Sequence, residues 1–95
     1  MEPIALRPHP NPELDREYGA RQFIFSIRPG VGFSVLTVEH SLPEKHGLYC
    51  TAGTYEAIRI NLPDPQSPWE FTLDGEPEGH IAVEDLIAFM KREGA

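Results

Sequence analysis

From residue 60 to residue 90 the sequence contains no lysine and no arginine, although seven of its 15 acidic residues fall there: Asp64, Glu70, Asp74, Glu76, Glu78, Glu84 and Asp85. The remaining acids are matched by the 8 basic residues, so the whole net charge of −7 resides in that interval. With a pI near 4.9, the shortage of basic charge excludes direct binding to nucleic acid, whose phosphates are neutralised by Lys and Arg. It also argues against an anionic membrane surface. A second cysteine is lacking as well: Cys50 is alone, which excludes an internal disulfide and leaves the redox compartment open. No apolar run approaches the roughly 20 residues of a membrane-spanning helix. The segment Met1-Glu2-Pro3-Ile4-Ala5-Leu6-Arg7-Pro8 lacks the charged-then-apolar order of a secretion signal. The expectation is a soluble, cytoplasmic protein.

Proline, by contrast, is abundant, with 10 in 95 residues. The prolines gather at 3–12 and 63–77, which marks stiff connections in an ordered chain rather than a disordered one. The length suits one domain with a modest core. Residues 1–20 read as a Pro-rich N-terminal arm with a short helical turn, in which Asn11 caps, Pro12 opens and Gly19 stops. Residues 21–95 read as a single α+β domain.

Within that domain Phe23, Phe25 and Ile27 alternate with Ile24, Ser26 and Arg28, the period of a strand. Pro29-Gly30 predicts a turn, since proline fixes φ at its first central position and glycine accepts positive φ at the second. The β-branched run from Gly32 to His40 then closes a hairpin. A loop follows over Ser41 to Lys45. Two further strands are predicted, Leu48 to Ala52 and Thr54 to Leu62; in the second, Ile58, Ile60 and Leu62 oppose Ala57, Arg59 and Asn61. A fifth is predicted from the alternation of Trp69, Phe71 and Leu73, which points those side chains inward. Ser67 and Glu70 also have the spacing of a helix capping box, a competing reading. From Ala82 to Glu93 the apolar positions Ala82, Val83, Leu86, Ile87, Phe89 and Met90 share one arc of a helix. Glu84 and Asp85 at its start and Lys91 and Arg92 at its end suit the helix dipole. The predicted fold is α+β: an antiparallel meander of four to five strands with one C-terminal helix packed on one face.

No catalytic constellation stands out. His40, His46 and Cys50 lack a fourth ligand at zinc-site spacing; Cys50 reads as a small buried hydrophobe in a strand, and Trp69 as core. What remains is the charge asymmetry. It points to a small non-enzymatic protein-binding module, of an inhibitory, nucleic-acid-mimicking kind, whose residues Asp64, Glu70, Asp74, Glu76, Glu78 and Glu84 face a basic protein surface. A nucleic-acid-handling protein is one such partner.

Two local resemblances add alternatives. The run Asp74-Gly75-Glu76-Pro77-Glu78-Gly79-His80-Ile81, ending at Asp85, resembles the calcium loop of the EF-hand family. Asp74 stands at loop position one, Glu76 at three, Glu78 at five, Gly79 at six and Asp85 at twelve. That resemblance implies calcium held by Asp74, Glu76, Glu78 and Asp85. The sequence departs from the pattern in the longer Glu76 and Glu78, in Pro77 and in the shorter Asp85. Separately, Phe25-Ser26-Ile27-Arg28-Pro29-Gly30 followed by Phe33-Ser34-Val35-Leu36 resembles the arginine-bearing strand of Src-homology-2 domains and the strand after it. That implies a phosphate-gripping Arg28.

Overall fold

A computed structural model describes residues 1–40 and 48–95. The loop expected over Ser41 to Lys45, and His46 with it, lie outside the described residues. The elements in order are β1 (Ala5–Pro8), α1 (Pro12–Tyr18), β2 (Arg21–Arg28), β3 (Gly30–Thr37), β4 (Thr54–Leu62), β5 (Thr72–Leu73), β6 (Glu78–Ala82) and α2 (Val83–Glu93). The strands form one antiparallel sheet in the order β1-β2-β3-β4-β5, and β6 also pairs with β4. The α+β class, the meander and the C-terminal helix are therefore as the sequence predicts, but the described residues hold six strands rather than four to five.

Each departure has a local cause. The Pro-rich arm supplies β1, which pairs with β2 from Ala5↔Ile24 to Pro8↔Arg21. Proline is tolerated there because β1 is an edge strand, where a missing N–H costs no ladder bond. The acidic turn supplies β6, in register Thr54↔Ala82 and Tyr55↔Ile81 against β4. Conversely, Leu48 to Ala52 is not a strand. Its backbone donors turn to side chains: the Tyr49 N–H donates to Glu56 Oε2 at 2.9 Å and the Thr51 N–H to Thr54 Oγ1 at 2.8 Å. The fifth strand shrinks to Thr72–Leu73, because Pro63, Pro65 and Pro68 wind the preceding chain into successive turns. In those turns the Ser67 N–H donates to the Asp64 carbonyl and the Glu70 N–H to the Ser67 carbonyl. Leu73 is 63% exposed rather than inward.

α1 follows its caps. Asn11 Oδ1 accepts the Glu13 N–H at 3.0 Å, and Gly19, at φ 62°, terminates the helix. The β2–β3 turn places Gly30 at φ 82°, as a Pro-Gly turn requires.

Strand alternation divides the core between the two sheet faces. On the first face Phe25, Phe33, Val35, Ala57 and Ile81 pack against Leu86 and Met90 of α2. On the second, Ile24, Ile60 and Leu62 pack with Ala5 and Ile58 of the same sheet and with Trp69 and Phe71 of the following turns. The 63–71 turns thus take the place of a second helix layer. A third cluster joins Tyr18, Ala20, Val38 and Cys50 beside α1.

Candidate functional site

The interval without basic residues does not form one surface. Asp64 is spent on its own turn: Oδ1 accepts the Gln66 N–H at 2.9 Å and Oδ2 the Ser67 hydroxyl at 3.4 Å. Glu70 lines a separate apolar hollow with Pro63, Phe71 and Thr72. Glu84 stands exposed on the first turn of α2.

Asp74, Glu76 and Glu78, however, are brought together. They line a groove of about 220 Å³ between the β4–β6 edge and the last turns of α2, joined by Glu93 and walled by Phe33, Ala57 and Phe89. The rings of Phe33 and Phe89 meet edge to face, 5.9 Å apart. The groove is lined by a single cation, Arg59. Its Nη1 donates to the Glu93 carbonyl at 2.8 Å, and its Nε lies 3.3 Å from Asp74 Oδ2. That approach is an ion pair without hydrogen-bond geometry, so the buried Nε–H has no acceptor among the described residues. Asp74 is thereby committed to Arg59. Glu76 and Glu78, both exposed, pair with no cation among the described residues.

Asp85 falls in the neighbouring groove, lined also by Glu78, His80 and Arg92. The four residues of the calcium-loop resemblance are therefore divided between two grooves that share Glu78. Glu78 and His80 belong to β6, and the His80 N–H donates to the Tyr49 carbonyl. Among the described residues no three His, Cys, Asp or Glu side chains are placed to hold one metal ion.

Arg59 and Glu93 are the groove residues that sequence reasoning missed. Asp74 meets Arg59 because β4 and β5 pair at Ile60↔Leu73, and the Asp74 N–H donates to the Arg59 carbonyl. That register is a tertiary fact, carried by no local pattern. Arg28 also has a structural partner: its Nε donates to the Gly94 carbonyl at 2.9 Å.

Away from the groove, two titratable groups are perturbed. Cys50 is fully buried; burial, with the Glu56 carboxylate adding to it, pushes its thiol up to about 11, so it is protonated at neutral pH. His9 is held below its ordinary 6.5, first by burial and then by Arg7, with Glu56 opposing. Its Nδ1 accepts the Asn11 N–H at 3.0 Å, a bond that suits the neutral ring. Since the fold favours neutral His9, this contribution to stability is complete above pH 6.5 and is lost as pH falls through the lower folded value. The denaturation midpoint is expected to drop between neutral pH and the mildly acidic range, and His9→Asn to reduce that drop. Equal drops for the two proteins would refute it.

No family model, curated protein or solved structure matches this chain.

Proposed function

We propose that the protein is a non-enzymatic binding module whose β4–β6/α2 groove presents carboxylates to a basic protein surface. One observation carries the reading. Four carboxylate residues, Asp74, Glu76, Glu78 and Glu93, line one groove whose single cation is already committed to Asp74 and to a helix carbonyl. Glu76 and Glu78 stay exposed, and their uncompensated charge attracts Lys and Arg of a partner over several ångströms. The half-buried Phe89 on the groove wall offers an apolar surface to the aliphatic stems of those side chains. Such complementarity sets orientation and on-rate more than raw affinity. A nucleic-acid-handling protein, with a surface shaped for phosphates, is a partner of this kind.

The test is affinity capture by wild type and by Glu76→Lys/Glu78→Lys, at low and at high salt. A basic protein recovered by wild type should be lost with the double reversal and weakened by salt, because exposed charges are screened beyond a Debye length of about 8–10 Å. Recovery indifferent to both changes would rule the reading out. Asp74 is left intact, since its loss would also free Arg59.

A further inference from the structure

We propose that His9 is an acid-operated latch: protonation of its ring loosens the connection between β1 and α1, lifts the start of α1 and uncovers the Cys50 thiol while the sheet stays folded. The connection has few bonds to lose. Pro8, Pro10 and Pro12 alternate with His9 and Asn11, so only those two residues carry a backbone N–H between positions 8 and 12. The His9 N–H donates to the Ala20 carbonyl at 2.9 Å. The Asn11 N–H donates to Nδ1 of the His9 ring at 3.0 Å. With Nδ1 as acceptor, the neutral ring carries its proton on Nε2. Protonation adds one at Nδ1, which then faces the Asn11 N–H donor to donor, and one of the connection's two backbone donors loses its acceptor.

Asn11 passes that change to the helix. Its Oδ1 accepts the Glu13 N–H at 3.0 Å and its carbonyl accepts the Asp15 N–H at 3.1 Å, so the residue held by the ring is the one that starts α1. A helix of 7 residues has little stability of its own. It is kept in place by Leu14 and Tyr18, packed with Ala20, Val38 and the fully buried Cys50. That cluster shares no residue with those on the two sheet faces, so it can open without them. The far end remains tied, because the Tyr18 carbonyl accepts the Glu39 and His40 N–H groups from beyond β3. Gly19, at φ 62°, is the pivot.

The surroundings of the ring set the direction. Burial opposes protonation most, Glu56 of β4 favours it, and Arg7, two residues earlier on β1, opposes it. α1 adds Glu13 and Asp15 in its first turn, while Arg21 and Glu39 neutralise each other across 2.6 Å. Lifting α1 relieves the burial, so the open form binds the proton more tightly than the closed one. Opening therefore increases as pH falls below 6.5.

Labelling of Cys50 by a dithiodipyridine reagent, which reacts with thiols even in acid, tests the proposal between about pH 7.5 and about pH 5. Each rate is divided by that of the denatured protein at the same pH, which removes the titration of the thiol itself. Trp69 fluorescence and circular dichroism check that each protein stays folded. In wild type the normalised rate should rise about twofold or more on acidification. It should stay level in His9→Asn, whose Oδ1 stands where the ring has Nδ1 and does not titrate in this range. His40→Asn, at the far end of α1, should rise as wild type does. In wild type itself the ring titration of His9, followed by NMR, should share its midpoint with the rise. A level wild-type rate, an equal rise in His9→Asn, a lost rise in His40→Asn or distinct midpoints would each overturn the proposal. So would a rise matched by unfolding around Trp69.

Discussion

Leu86→Ala is expected to remove about 2–5 kcal/mol of folding stability, the range for emptying a well-packed core site. Leu86 is 5% exposed and belongs to the cluster in which Phe25, Phe33, Val35, Ala57, Ile81 and Met90 join the sheet to α2. Its neighbours come from four strands and cannot collapse together into the space. Set against the ~5–15 kcal/mol that holds a typical domain together, this single change threatens the fold. The comparison that gives the result meaning is Glu76→Lys/Glu78→Lys. Both of its positions are exposed, and it should shift stability by no more than about 0.5 kcal/mol per site. Denaturant melts of the two variants measure both quantities. A fragile groove variant beside an indifferent Leu86→Ala would mean that α2 packs through another face.

Gly32→Ala is expected to be the next most damaging change, by overpacking rather than by a cavity. A Cβ at residue 32 would stand 2.5 Å from the Phe25 carbonyl oxygen, 3.2 Å from Leu62 Cδ2 and 3.4 Å from Ile60 Cγ1. The two side chains can yield, but the oxygen belongs to the backbone of β2, which pairs with β3 at Ser26↔Gly32 beside an irregularity in register. Relief requires shifting one central strand against another. A cost of about 1–3 kcal/mol follows from similar insertions into packed interiors. An unchanged denaturation midpoint in Gly32→Ala would show that the irregularity at Ser26–Arg28 is loose enough to absorb a methyl group.

The parts of the fold legible in the sequence were those whose signal is local. Asn11, Pro12 and Gly19 bound α1 by themselves, Pro29-Gly30 makes its turn, and the arc from Val83 to Met90 places Leu86 and Met90 inside. The errors fell where local signals are weak or conflict. In β1, Pro8 reads as a break, and only its edge position makes it acceptable. In β6, Ile81 is the one buried residue and the alternation is too short to outweigh the glycine and prolines around it. At Trp69 neither the strand nor the capped helix forms: Ser67–Glu70 closes only a turn, and the indole packs on the sheet, as expected of a core residue, with Arg7 over its ring at 4.1 Å. The candidate site was legible as composition but not as geometry. Charge counting found Asp74, Glu76 and Glu78, yet it could not separate them from Asp64, Glu70 and Glu84. Nor could it find Arg59 and Glu93, which arrive through strand register and helix direction.

The two arginines at the carboxyl end of α2 change how that helix can open. Ordinarily the final turn frays first, because its carbonyls lack intrahelical partners. Here the Glu93 carbonyl is taken by Arg59 from β4 and the Gly94 carbonyl by Arg28 from the end of β2. Lifting the terminus means detaching it from two non-adjacent strands at once. At its other end α2 continues from β6 with no intervening loop, so it has no free joint there either. Fraying of the last turn must break both bonds, so its amides are expected to exchange with solvent more slowly than those of an unpinned helix end.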